Sequence, residues 1–344
     1  MAQIDKPGLH FNTVLYVGNG GTKNVTGVGF QPDFCWLKVR DGGSSHALFD
    51  VLRGVQKRLV SNDNAAQLTQ SGLTSFDSDG FTLGSQGAIN GNSGNHVAWN
   101  WKAGGSGSAN TDGDINSTVS ANTTSGFSIV KYTGSGSAQT VGHGLGAVPR
   151  WIIVKRIEAG GYDWVVYHAD DTAGLYLNNT GYNNDSSGSA IWFNGTAPTS
   201  SVFTTGTDGR IGNAVDYIAY CFAEKRGFSK FGKYTGNGSG NGAFIYTGFK
   251  PAWVMIKRTN NSTNWAINDT ARDFNSTYGN DASIYANTGD AETTSSSLNI
   301  DLLSNGMKLR SSNASFNDAG STYIYMAFAE NPIVGSNNIP AVAE

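Results

Sequence analysis

The chain has little charge. Only 14% of its 344 residues are Asp, Glu, Lys or Arg, against roughly 25% in an ordinary domain. The net charge is -3, so the basic stripe expected of a nucleic-acid binder is missing. Cysteine is nearly absent. Cys35 and Cys221 lie in separate apolar runs, where a thiol packs as a small hydrophobe. They show no metal-ligand spacing, and no disulfide is expected between them. No run approaches the ~18 apolar residues of a membrane helix. Residues 1–10 hold neither an apolar run nor a basic segment, so no signal peptide is expected there. Glutamate is confined to Glu158, Glu224, Glu292, Glu330 and Glu344, a poor supply for the paired carboxylates of a glycosidase.

Glycine is plentiful, at 46 residues, and aromatics reach 11%. A disordered chain lacks such aromatics. Gly/Asn/Ser/Thr-rich turns between short aromatic runs describe an all-β protein.

One stretch occurs three times. It reads Gly29-Phe30-Gln31-Pro32-Asp33-Phe34-Cys35-Trp36-Leu37-Lys38, then Gly146-Ala147-Val148-Pro149-Arg150-Trp151-Ile152-Ile153-Val154-Lys155, then Gly248-Phe249-Lys250-Pro251-Ala252-Trp253-Val254-Met255-Ile256-Lys257. Pro lacks an N–H and belongs at the start of a strand. The run behind it is too short for a helix. Both of its alternating faces are apolar, which predicts a strand buried on two sides and central in its sheet. Trp253 is therefore predicted to be core, with Trp151 and Phe34 at matching positions.

Other segments recur around this motif. Thr13-Val14-Leu15-Tyr16-Val17, Phe127-Ser128-Ile129-Val130-Lys131-Tyr132 and Ser229-Lys230-Phe231-Gly232-Lys233-Tyr234 precede it. His96-Val97-Ala98-Trp99-Asn100-Trp101, Tyr217-Ile218-Ala219-Tyr220-Cys221-Phe222 and Tyr323-Ile324-Tyr325-Met326-Ala327-Phe328 close the units. The expected organisation is an N-terminal arm (1–10), repeat one (11–105), a flexible linker (106–125), repeat two (126–224), repeat three (227–330) and a C-terminal arm (331–344). Units of ~100 residues exceed solenoid repeats of about 20–50 and match a β-sandwich. Three tandem β-sandwich-like repeats about a pseudo-threefold axis are the expectation.

The combination of Phe11-Asn12-Thr13-Val14-Leu15-Tyr16, Gly27-Val28-Gly29-Phe30-Gln31-Pro32-Asp33-Phe34, Phe76-Asp77-Ser78-Asp79-Gly80-Phe81 and Ala98-Trp99-Asn100-Trp101-Lys102-Ala103-Gly104-Gly105 resembles a repeat family of virion proteins. That family occurs in tailed phages of marine bacteria, cyanophages among them. Phe222-Ala223-Glu224 and Phe328-Ala329-Glu330-Asn331-Pro332 fit its unit ends. The resemblance implies a virion location and a structural or host-contact role in tail, fibre or head decoration. Its implied partners are other virion proteins, with a homo-oligomer in the particle. It brings no assigned chemistry.

The residues themselves agree with a non-enzyme. Glu224 and Glu330 hold the same repeat position, far apart in tandem units, and read as structural. Asp77-Ser78-Asp79-Gly80 and Asp112-Gly113-Asp114 alternate carboxylates as calcium loops do. The rest of an EF-hand pattern is missing, and Asn305-Gly306 replaces Asp79-Gly80 in repeat three, so a hairpin turn is expected. His10, His46, His96, His143 and His168 follow no repeat pattern, and there is no Gly-x-Ser-x-Gly elbow. No catalytic, cofactor or metal residue is expected. The rival reading is a carbohydrate-binding adhesin or receptor-binding protein contacting a host-surface glycan. Trp164, Trp192 and Trp265 are its candidate glycan contacts; His46 replaces the tryptophan in repeat one.

Overall fold

The computed structural model describes residues 3–181, 192–272 and 281–333. The chain is nearly all antiparallel β.

Three large sheets organise it. The first has the order Phe11–Val17, Asn95–Trp101, Phe34–Val39, Ala47–Asp50. The second contains Phe127–Thr133, Asp216–Phe222, Trp151–Arg156, Val165–His168 in that order, and the third Ser229–Thr235, Thr322–Pro332, Phe249–Arg258, Ala266–Asp269. In each, the motif strand lies between the closing strand and the strand that follows the motif. Register agrees as well: Phe34 faces Trp101, Trp151 faces Phe222 and Trp253 faces Phe328.

The alternation inside each motif strand explains its double burial. Phe34 and Trp36, Trp151 and Ile153, Trp253 and Met255 point to one core shared by all three sheets. In that core Phe34 stacks on Tyr220 at 4.3 Å, Trp99 meets Trp253 edge-on at 6.3 Å, and Trp151 meets Trp265 at 6.0 Å. Cys35 and Leu37, Ile152 and Val154, Val254 and Ile256 point outward into three satellite cores. Each satellite is closed by a small sheet. Lys23–Thr26, Gly80–Leu83 and Leu73–Asp77 close the first; Gln139–Gly142 and Val202–Thr205 the second; Phe244–Tyr246, Gly306–Leu309 and Ile300–Leu303 the third.

Four expectations are corrected. Residues 106–125 are not a free linker: Ser108–Asn110 and Ser117–Asn122 are strands that extend the second sheet beyond Phe127–Thr133. Short polar side chains suit such an outer strand, where one face meets water, and buried Val119 anchors it. The motif prolines do not open their strands. Phe34 and Trp151 start two residues after Pro32 and Pro149, whereas Pro251 sits inside its strand at a register shift, a bulge that tolerates the missing N–H. The N-terminal arm docks on its own chain: the Ile4 N–H donates to the Arg226 carbonyl at 3.0 Å, and Ile4 joins the shared core. The closing strand of the third sheet runs on through Asn331 to Pro332, which faces Phe249. Val334, Ile339 and Val342 of the expected C-terminal arm lie outside the described residues.

Candidate functional site

The three candidate glycan tryptophans are buried, which removes them as sugar contacts. Trp164 and Trp265 are fully inaccessible and Trp192 nearly so. Trp192 packs on Tyr176 at 4.9 Å. Gly174 makes room for it, since a Cβ there would come within 2.0 Å of the Trp192 ring.

Trp164 and Trp265 instead stitch sheets together. Trp164 Nε1–H donates to the Val60 carbonyl at 2.8 Å, and Trp265 Nε1–H to the Tyr176 carbonyl at 2.8 Å. His46, at the matching position of the first sheet, places Nε2 3.0 Å from the Tyr285 carbonyl. Its Nδ1 accepts from Trp36 Nε1–H at 2.8 Å, so the neutral Nε2–H tautomer satisfies both contacts. The second sheet reaches the first, the third reaches the second, and the first reaches the third. The circle is closed.

The lysines that end the motifs lie along the same boundaries. Lys155 Nζ donates to the carbonyls of Tyr162 and, across the boundary, Asn64. Lys257 Nζ donates to Thr263 and, across, Thr180. Lys38 Nζ donates to Val39 and Gly42. Burial lowers their pKa to about 8 for Lys38 and Lys155 and to about 7 for Lys257. Two boundaries also hold buried ion pairs, Arg53–Asp50 at 2.5 Å and Arg272–Asp269 at 2.7 Å.

Other reactive side chains are similarly engaged. Burial pushes His46 down to about 3 and His168 to about 4, and raises the thiols of Cys35 and Cys221. Glu224 accepts from the Phe231 N–H at 2.9 Å and pairs with Lys230 and Arg150. Asp79 accepts from the N–H groups of Gly27 and Gly29, at 3.0 and 2.7 Å, and Asp114 accepts from Thr140. These carboxylates brace turns. Among the described residues no group of three His, Cys, Asp or Glu is placed to hold a metal.

A cleft of about 530 Å³ on the surface gathers charged side chains. Glu224, Lys225, Arg226, Lys230 and Tyr246 line it. The Ile4–Arg226 backbone bond pins the turn that carries Arg226. Tyr246 stands at 59% exposure. Such a cleft can hold an anion against a flat ring.

The chain matches the family model described as a domain of unknown function, DUF7483, over residues 6–332. The chain belongs to this family. No curated protein and no solved structure matches it. The DUF7483 match takes in the three large sheets, their boundary bonds and the cleft residues named above. Among the described residues no helix is long and apolar enough to cross a membrane.

Of the cleft residues only Glu224 was singled out from the sequence, and it was read as structural; Lys225, Arg226 and Tyr246 were not. Two signals were available. Lys225-Arg226 follows the closing strand only in the second unit, and Phe244 and Tyr246 stand where the corresponding strands carry Asn24 and Thr26 or Thr140 and Gly142.

Proposed function

We propose that this chain is a non-enzymatic structural protein of a tailed-phage virion, a tail, fibre or head-decoration component that acts through protein packing. Its three sheets are read as tandem β-sandwich-like repeats about a pseudo-threefold axis. The observation that carries the reading is the closed circle of boundary bonds from His46, Trp164 and Trp265. The indoles, the buried lysines and the Asp–Arg pairs hold sheet against sheet, so the polar interior serves rigidity. A rigid block with a low net charge suits side-by-side packing with little repulsion. The sequence resemblance to virion repeat proteins supplies the setting. Partners are then other virion proteins, and copies of this chain within the particle.

Immunogold labelling of purified phage particles with antibody against the recombinant chain tests this reading. Labelling at a fixed place on the particle is expected. Absence of label from both intact and disrupted particles overturns the virion assignment, and hydrolysis of a saccharide by the purified chain overturns the non-enzymatic one.

A further inference from the structure

The cleft breaks the threefold pattern in two independent ways. In the third small sheet Ile245 is buried and faces Met307, as Val25 faces Phe81 and Val141 faces Phe203. Its neighbours Phe244 and Tyr246 point outward, 45% and 59% exposed. The corresponding positions elsewhere are the exposed Asn24 and Thr26, or Thr140 and Gly142, the latter buried against Asn110. Exposed rings add little to a core, so stability does not account for the exchange. Phe244 lies over Gly306, which the neighbouring Ile245 carbonyl already requires to be glycine, and the Tyr246 hydroxyl lies beside Gly248. Two residues apart on one strand, the two rings leave the same face from Cα atoms roughly 6.5–7 Å apart, a spacing longer than one sugar ring.

The second departure is charge. Lys225, Arg226 and Lys230 face a single carboxylate, Glu224, at the cleft. That is three positive groups and one negative, in a chain whose net charge is -3. Glu224 is already bridged by Lys230 at 3.3 Å and Arg150 at 3.4 Å. Lys225 and Arg226 have no carboxylate partner among the described residues. The Lys225 stem lies along Gly126, where a Cβ would come 2.9 Å from its Cε. Burial without a counter-charge lowers its pKa, and an incoming anion would relieve that cost.

We propose that this cleft and the adjoining rings bind an acidic polysaccharide, with sugar faces on Tyr246 and Phe244 and carboxylate or sulfate groups at Lys225 and Arg226. The flat apolar rings select against a bare inorganic anion, and the cations select against a neutral glycan. The overall negative charge disfavours a nucleic acid. The inference does not depend on a virion location.

Calorimetric titration of the full chain separates the cases. The probes are oligogalacturonate, a sulfated dextran oligomer, a neutral dextran oligomer and a single-stranded oligonucleotide. Saturable binding of one acidic oligomer is expected, and the preferred one identifies the anionic group. Tyr246→Ala should weaken it about fivefold, a ring contact of about 1 kcal/mol. Arg226→Ala should weaken it about tenfold and flatten its salt dependence. Both side chains are exposed, so the melting temperature should hold. No saturable binding of either acidic oligomer, equal binding of neutral dextran, tighter binding of the oligonucleotide, or an affinity indifferent to Tyr246→Ala would each overturn the proposal.

Discussion

The Tyr220 hydroxyl donates to Asp50 Oδ2 at 2.8 Å, across the boundary between the second and first sheets. The third boundary repeats the arrangement with a different donor: Trp99 Nε1–H reaches Asp269 Oδ2 at 2.8 Å. By register, Trp99 and Tyr220 hold the same place, and Met326 holds it in the third sheet. Asp50 and Asp269 likewise share a place that His168 takes in the second sheet. Acid and donor are thus lost together. A carboxylate with no donor and no arginine would be buried at a high cost, and a neutral imidazole avoids it.

The first prediction follows from that pair. Asp50→Asn leaves the Arg53 guanidinium buried without its counter-charge, and should cost about 3–5 kcal/mol. Tyr220→Phe removes one hydrogen bond to a charged group, at about 1.5–3 kcal/mol. Because the two residues touch, the double variant should cost less than the sum. Urea denaturation measures all three, and strict additivity would contradict the contact.

A second prediction separates packing from stitching. Trp253 is wholly buried in the shared core, so Trp253→Ala should cost about 3–5 kcal/mol. Trp265→Phe keeps most of the ring but deletes the N–H that meets Tyr176, and about 1–3 kcal/mol is expected from the unpaired carbonyl. A melt within a degree of wild type for either would place these rings outside the load they carry here.

Acid should loosen the boundary between the first and third sheets, where His46 meets Tyr285. Burial holds His46 at about 3 and His168 at about 4, both below the unfolded value of about 6.5. Between those limits the unfolded chain binds more protons than the native one, so stability falls as pH drops from about 6.5 toward 4. Each histidine contributes up to about 1.4 kcal/mol per pH unit in that window. His46→Gln should be less stable at pH 7 yet show a shallower loss between pH 6.5 and 4.5. An unchanged slope would show that His46 is not the group responding.

Much of the fold was legible because the motif strand obeys a local rule. Phe34 to Leu37 is apolar at every position, which only a strand buried on two faces requires, and from Phe34, Trp151 and Trp253 onward the three copies share one register. The 106–125 segment was not legible. Its Ser, Thr and Asn have coil composition, and pairing with Phe127–Thr133 depends on tertiary context. Trp192 misled for a similar reason: its polar sequence neighbours suggest exposure, while Gly174, distant in sequence, supplies its pocket. The motif lysines were visible in all three copies. Their burial was not, because a strand-end lysine ordinarily reaches water.

The virion reading makes its own prediction at the C-terminus. The closing strand pairs through Pro332, so deletion of 334–344 spares the described sheets, whereas deletion from 331 removes paired residues. The shorter deletion should leave the melting temperature within about a degree or two and reduce incorporation into particles. Full incorporation without 334–344 would exclude this segment as the attachment point.

The shared core sets how the chain unfolds. Separate tandem domains would each survive alone. Here the inner face of the second sheet, with Phe127, Trp151, Tyr220 and Phe222, is covered by Phe34, Trp101, Phe231 and Trp265 from the other two. Cutting out 126–224 would expose that face to water, at about 25 cal/mol for each Å² of apolar surface. Four large aromatics are worth several kcal/mol on that scale, comparable with the whole stability of a small domain, about 5–15 kcal/mol. The boundary bonds of Trp164 to Val60 and of Trp265 to Tyr176 would be lost as well. The isolated 126–224 fragment should therefore show no cooperative melt and no near-ultraviolet circular dichroism, while the intact chain melts in one transition. Three resolved transitions in the intact chain, or a folded fragment, would mean that the satellite cores suffice alone.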